Sequence, residues 1–406
     1  MNYKTLSGYF YSDKVAYNNI YNSRFNSESS YRFDFKINDD PAFLCINNDI
    51  LKRIERILEL NKELYIRMSN VPPIALNQYA KKCIVDEIKI TNDIEGVHST
   101  RKEINDILTN KDKFNKKNRL YGLVKSYQML LQDNDIKLET CSDIRNLYNE
   151  LALQDIISDD PNNKPDGELF RKDTVNVQDD RQKIIHTGIY PESKIIEYLE
   201  SSLKMLNNDE YNSLIRIAIF HYMFGYIHPF YDGNGRMSRF ISSYLISKKL
   251  EFLVAFKLSY TIKENLKTYY KMFKETNNKN NKGDLTYFVI RFFDLIIESI
   301  EELIESLNKK RLMLCHYGNI AENIFENDEK AFTVTFILIQ NTLFGDDGMS
   351  IEDIASDSEV GISKVRKTIK FLVDRNLLYV KKYGKKNIYD INLDVFAEYE
   401  SKEINE

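Results

Sequence analysis

Tryptophan is absent from the 406 residues, although tyrosine occurs 27 times and phenylalanine 23 times. Beside so many Tyr, Asn and Lys residues, the absence fits a low-GC coding sequence rather than a function. Cysteine is scarce. Cys45, Cys83, Cys141 and Cys315 lie far apart and form no CxxC pair, which speaks against a disulfide framework or a zinc site. No apolar run reaches the roughly 18 residues that span a bilayer. The opening MNYKTLSGYFYSDK has no apolar core of the signal-peptide kind. These absences predict a soluble, cytoplasmic protein without membrane contact. The formal net charge is only −4, so no global pull toward nucleic acid follows, and any such binding needs a local patch.

A hydrophobic fraction of 43% is ample for a core. At about 100–200 residues per domain, two or three domains are expected. Residues 1–48 lack helical periodicity and read as an irregular arm. From 51, LKRIERILELNKELYIRM repeats apolar residues at three and four until Val71-Pro72-Pro73 stops it. A second helix is predicted over 74–94, closed by Gly96. Further helices are expected near 101–110, 117–132, 142–153, 192–206 and 209–227, the last apolar on most faces and therefore buried. Between them, 158–167 reads as a loop, and Thr174–Val177 with Lys183–His186 reads as a β-hairpin around a polar tip. A long helix is expected at 285–311. The end of the chain then runs helix, short helix capped by Ser350 with Asp353, helix, and two strands around Gly384. That is a winged-helix order.

The strongest chemical signal is His228-Pro229-Phe230-Tyr231-Asp232-Gly233-Asn234-Gly235-Arg236-Met237-Ser238-Arg239. It follows a buried helix and opens another. Its glycines let backbone N–H groups turn inward at a helix N-terminus, a ready anion site. Arg236 and Arg239 share a helix face and can fork onto one polyphosphate. Asp232 is an oxygen ligand of the type Mg²⁺ prefers, and His228 is the group here that titrates near neutrality. Anion cradle, cation and positioned base are the parts that phosphoryl and nucleotidyl transfer need.

This segment resembles the Fic family of nucleotidyl transferases, whose motif reads HPFx[D/E]GNGRxxR, and every defined position is matched. The resemblance extends over roughly 74–310. It implies a mainly α fold, with a helical Fic core, a β-hairpin flap and, here, an added C-terminal winged helix. It also implies AMP transfer from ATP to a Tyr, Thr or Ser hydroxyl of a target protein or of the chain itself. By position, His228 would be the base and Asp232 would hold Mg²⁺. Gly233, Asn234 and Gly235 would form the anion hole, with Arg236 and Arg239 on the β- and γ-phosphates. Phe230 would anchor the loop. Related Doc-type kinases depart near Gly235, and the glycine here favours AMP transfer. Tyr269, Tyr270 and Asn277 match the spacing that frames adenine and ribose, or else form a core aromatic pair. Val175, Asn176, Val177 and Gln178 match the flap strand that docks target backbone, or else a structural hairpin. Family members often dimerise, so a homodimer is an expectation too.

Thr91 and Glu95 lie four apart at the end of a helix closed by Gly96, where the helix dipole disfavours a glutamate. The segment resembles the family's inhibitory motif [S/T]xxxE[G/N]. By that resemblance, Glu95 would pair with Arg239 and block the γ-phosphate within the same chain. His221 reads as a satisfied core residue and His186 as a turn residue.

At the C-terminal end, Lys364, Arg366, Lys367 and Lys370 with Lys381, Lys382, Lys385 and Lys386 make a basic stripe, in which Asp374 is the only acid from 361 to 386. Such a stripe suits DNA or a protein partner. The expected division is 1–100 arm and inhibitory helix, 101–311 catalytic core, 312–330 connector and 331–406 winged helix. Two rival functions stay open: a DNA-binding regulator with a nucleotide-sensing core, and AMP removal by the same site.

Overall fold

Capping and periodicity build a mainly helical chain. The structure, a computed structural model, describes residues 3–109, 114, 118–132, 134–178, 184–383 and 386–403. It begins with α1 (Leu6–Ser12), α2 (Lys14–Phe25) and a hairpin of β1 (Ser30–Ile37) and β2 (Asp40–Cys45). The irregular arm expected over 1–48 is therefore ordered. Thr5 Oγ1 caps α1 and Asp13 Oδ1 caps α2, supplying acceptors for the open N–H groups. α2 buries only Tyr17, which explains why no apolar stripe announces it. In β1 the period is two, with Phe33, Phe35 and Ile37 inward.

Next come α3 (Asn48–Ser69), α4 (Pro73–Ile94), α5 (Arg101–Thr109), α6 (Tyr121–Leu131), α7 (Cys141–Leu151) and α8 (Leu153–Asp159). Beyond a small hairpin, β3 (Asn176–Gln178) with β4 (Ile184–Thr187), lie α9 (Glu192–Leu206), α10 (Ser213–Ile227) and α11 (Asn234–Ser247). The polar tip at 179–183 lies outside the described residues. α12 (Phe252–Ala255), α13 (Leu258–Glu264), α14 (Leu266–Thr276) and α15 (Thr286–Ile324) complete this series.

The chain divides into two compact units. One comprises residues 1–62 and 84–301, the other 63–83 and 302–406. These limits cut across the boundaries read from sequence, because α3, α4 and α15 are each long enough to contribute to both. The connector expected at 312–330 is mostly helix, since α15 continues to Ile324. The centre of the first unit is α10, packed on α9 and α11. Nearly every α10 side chain is buried, His221 included, as its apolar faces foretold.

The second unit ends with α16 (Glu329–Phe344), α17 (Ile351–Ser358), α18 (Ile362–Asp374), β5 (Leu378–Tyr383), β6 (Lys386–Ile391) and α19 (Leu393–Glu403). Ser350 and Asp353 form the expected capping box. β5 and β6 pair antiparallel, Leu378 opposite Ile391. Among the described residues, no helix is long and apolar enough to cross a membrane.

Candidate active site

α10 ends because His228 adopts a left-handed conformation, φ 53° and ψ 63°, and its N–H closes on the Phe224 carbonyl at 2.9 Å. A non-glycine residue there is strained, and such strain collects at functional positions. The chain then turns through 229–233 into α11. Phe230 is fully buried and stacks on Tyr148 with ring centroids 3.7 Å apart. Asn234 pins the turn from the other side. Its Oδ1 accepts from the Phe230 N–H at 3.0 Å and its Nδ2 donates to the Phe230 carbonyl at 2.8 Å. The Asn234 side chain thus holds the loop, and its main chain opens α11 beside Gly235. Gly233, at φ 82°, is the left-handed residue that lets α11 begin.

The His228 ring is oriented by Nδ1, which donates to the Gly225 carbonyl at 3.3 Å. That leaves Nε2 as the acceptor. Burial pushes the His228 pKa down to about 4, so the ring is neutral at ordinary pH. Asp232 Oδ1 accepts from the Gly233 N–H at 2.5 Å, and its other oxygen lies 3.4 Å from Arg236 Nη2. Arg236 is buried, and its Nε has no hydrogen-bond partner among the described residues. An unpaired buried donor beside a helix N-terminus suits an anion.

Arg239 is fully occupied on one side. Nε donates to Thr91 Oγ1 at 2.7 Å, and Nη2 donates to the Thr91 carbonyl at 3.0 Å and to Glu95 Oε1 at 2.7 Å. Thr91 lies in the last turn of α4, and Glu95 stands just past its end, before Gly96 at φ 71°. Burial works to raise the Glu95 pKa, but the Arg239 guanidinium outweighs it and holds the carboxyl below its usual range. The carboxylate stands over Gly235, where any Cβ would collide with Glu95 Oε1. The structure brings Thr91, Glu95, Gly235 and Arg239 together.

A pocket opens beside them. Glu95, His228, Asn234, Gly235, Ser238 and Arg239 line it together with Gly225, Val177, His186, Tyr269, Tyr270, Phe273, Lys274 and Asn277. Tyr269 is buried and bonded to His221 Nε2 at 2.8 Å, while Tyr270 is partly exposed. Asn277 Oδ1 accepts from the Tyr222 hydroxyl at 2.6 Å. Of the flap residues, Val175 precedes the strand and its carbonyl accepts from Gly188 N–H at 3.0 Å. Asn176 pairs with Thr187 and Val177 with His186, and Gln178 closes the strand. His221 is a satisfied core residue, bonded to Ser242 as well, and burial lowers its pKa to about 3.

Two contributors escaped the sequence reading. Arg171 is fully buried, and donates to the carbonyls of His228 at 2.9 Å and Ile189 at 2.8 Å, tying the loop to the base of the flap. Glu87, a turn before Thr91 on α4, accepts from the Ser259 N–H at 2.9 Å and the Tyr127 hydroxyl at 3.1 Å, and burial raises its pKa to about 7. Neither sits in a recognisable motif. A buried-type helix position occupied by glutamate was the only available signal for Glu87.

For a metal, Asp232 is the acid of the loop, and no group of three or more His, Cys, Asp or Glu able to hold a metal occurs among the described residues. A single carboxylate fits Mg²⁺, which keeps waters and takes its other ligands from phosphates.

Comparison with known proteins bears on the fold. The solved structure of a Fic family protein from Desulfovibrio desulfuricans G20 superimposes with a TM-score of 0.51 at 16% identity, covering 86% of this chain and 97% of that one. A Fic domain containing signaling protein from Bacteroides thetaiotaomicron matches over 63% of this chain and 97% of its own, with a TM-score of 0.43 and 16% identity. Fic-1 from C. elegans matches over 64% of this chain and 74% of its own, with a TM-score of 0.41 and 18% identity. At these identities the first shows a shared fold. Residues 140–246, which include the whole of the 228–239 loop, match the Fic/DOC family, so the chain carries a Fic/DOC family domain.

Proposed function

We propose that this protein is an adenylyltransferase that moves AMP from ATP onto a Tyr, Thr or Ser hydroxyl of a target protein or of itself, and that Glu95 restrains it. The observation that carries this reading is the Glu95 carboxylate at the N-terminus of α11, bonded to Arg239 at 2.7 Å. An anion site filled by an internal carboxylate is one that an external anion must compete for. The free Nε2 of His228 supports a general base at the adjoining position. There it takes the proton of the acceptor hydroxyl as that oxygen attacks the α-phosphorus, and the bond to the β-phosphate oxygen breaks to release pyrophosphate. Arg236 and Arg239 bind the leaving phosphates, and the orphaned Nε of Arg236 supports that role. Asp232 would hold Mg²⁺, which supplies charge neutralisation on the phosphates when bound. The Gly235 backbone, free of a Cβ, favours this chemistry over γ-phosphate transfer. Tyr270 and Asn277 would frame the nucleoside, and the flap strand would align target backbone by strand addition.

Incubation with α-labelled and γ-labelled ATP tests the proposal. Protein-bound α-label supports it. Protein-bound γ-label alone makes the site a kinase, and no label of either kind removes the transferase. AMP removal by the same site, with Glu95 orienting a water, gives loss of label from a pre-modified target.

A separate reading concerns residues 331–406 of the second unit, which we take as a winged helix. Arg366, Lys367 and Lys370 are exposed on one face of α18, and Lys381 and Lys382 are exposed on β5. That face supports nucleic-acid contact. Lys364 drops out of the stripe because it pairs with Asp328. Lys386 lies near Glu352 at 3.5 Å, and Lys385 is outside the described residues. A cytoplasmic location and a homodimer belong to the same proposal.

A further inference from the structure

The pocket beside His228 follows α14. At one end, Tyr269 feels the charges of Arg239 and Glu95. At the other, Asn277 caps the helix against Tyr222. At 1.5 Å per residue, about 12 Å of helix lies between them, enough for a nucleoside. With phosphates at the Arg239 end, a base reaches toward Asn277.

His186 lines the same pocket from the flap, at the head of a row of tyrosines that leads to Asn277. It pairs with Val177 across the flap, so the two side chains leave the same face, and both line the pocket. Its ring stacks on Tyr226 at 5.0 Å, and Tyr226 stacks on Tyr222 at 5.8 Å, the tyrosine that holds Asn277. His186 Nε2 lies 2.6 Å from the Tyr226 carbonyl. A carbonyl only accepts, so Nε2 carries the hydrogen. Burial, reinforced by the charge of Arg171, holds the His186 pKa below the usual imidazole value, so the ring is neutral. Nδ1 therefore presents a lone pair. The other polar side chains here offer less, since Asn277 Oδ1 already accepts from Tyr222 and the Lys274 ammonium only donates.

We infer that His186 sets the purine specificity of the pocket, its Nδ1 accepting a hydrogen from the exocyclic 6-amino group of a bound adenine nucleotide. A 6-oxo purine would set O6 against that lone pair. The contact does no chemistry and leaves proton transfer to His228. It rests on the pocket being the donor-nucleotide site proposed above.

The experiment changes the ligand before the protein. The full-length Glu95→Gly chain is titrated by calorimetry with ATP, with purine riboside triphosphate, which has hydrogen at C6, and with inosine triphosphate, which has oxygen there. ATP should bind about tenfold tighter than the unsubstituted analogue, the worth of about one hydrogen bond, and inosine triphosphate should bind weakest. Adding His186→Leu should bring ATP and the unsubstituted analogue within about twofold of each other. Equal affinity for those two ligands in the chain with His186 intact overturns the inference without any question of folding. A preference that survives His186→Leu overturns it as well. A preference for ATP without label transfer upholds it while removing the transferase, and binding of no triphosphate removes both.

Discussion

Glu95 Oε1 and Arg239 Nη2 are 2.7 Å apart, and the same carboxylate fills the space above Gly235. One side chain thus occupies both the Arg239 guanidinium and the space over the helix N-terminus next to it. The Arg239 side chain is almost fully buried and that of Glu95 about a quarter exposed, 2% against 25%, so solvent reaches the pair from the Glu95 side. Opening it must break a charge-assisted contact.

Replacing that carboxylate should release the site. Glu95→Gly is expected to raise incorporation of α-label by about one or two orders of magnitude, each factor of ten being about 1.4 kcal/mol in the barrier. Arg239→Ala should not, because a phosphate ligand goes with the lock. The double variant should follow Arg239→Ala, as both changes act through one contact. Equal rates for the unmodified chain and Glu95→Gly would reduce Glu95 to a helix-end residue.

The His228 ring predicts a pH profile as well as a loss. Its pKa is pushed down to about 4, chiefly by burial, so Nε2 is an unprotonated base at neutral pH and loses that capacity only as pH falls through about 4. AMP transfer by Glu95→Gly should therefore be flat between about pH 6 and pH 8, with no inflection near the ordinary imidazole value of about 6.5. His228→Ala should cost about 10²–10⁴ in rate while ATP still binds. A rate that climbs tenfold through the ordinary imidazole range contradicts the assignment.

Asp232 makes a separate claim. Asp232→Ala should weaken Mg²⁺-supported ATP binding and leave metal-free binding almost unchanged, because no other acid lies in the loop. Calorimetry with and without Mg²⁺ decides it, and identical Mg²⁺ dependence in both proteins would exclude Asp232 as the ligand.

Phe230→Ala tests anchoring. Phe230 is fully buried on the Tyr148 ring, so its loss should destabilise the first unit by about 3–5 kcal/mol. Urea unfolding should show an earlier midpoint, and an unchanged one would mean the loop holds itself.

The basic face of α18 predicts a difference between lysines. Arg366→Ala, Lys367→Ala and Lys370→Ala together should weaken binding to any duplex and flatten its salt dependence. Lys364→Ala should have little effect on binding, since that ammonium is engaged by Asp328. A retardation assay at low salt showing no shifted duplex with the unmodified chain would leave the face to a protein partner.

What could be read in the sequence divides along physical lines. The 228–239 loop was legible because each part of an anion site must sit within a few residues of the others. Glu95 was legible because a glutamate at a helix C-terminus works against the dipole. The clamp of the Asn234 side chain on Phe230 is not legible in the sequence, since its partners are main-chain groups that only the folded loop sets opposite it. The helices of 6–25 were missed because α2 buries a single tyrosine, so their stability comes from caps and aromatic contacts rather than from a stripe. The alternation in β1 was present in Tyr31, Phe33, Phe35 and Ile37 and went unread. Arg171 was beyond reach, since its partners are carbonyls that only the fold assembles.

That last residue bears on how such a protein can change. Among the described residues, every hydrogen bond of the Arg171 guanidinium goes to a main-chain carbonyl: Asp173, Ile189, Ile227 and His228. Main-chain oxygens are the same whatever side chains surround them. The alignment of flap and loop is therefore written in a form that mutation at the flap surface does not erase. Substitutions along 176–178 and 184–187, apart from the pocket-lining Val177 and His186, can accumulate, and with them new preferences at the rim, while the loop beneath keeps its geometry. Innovation at the edge and constancy at the centre are separated by one arginine.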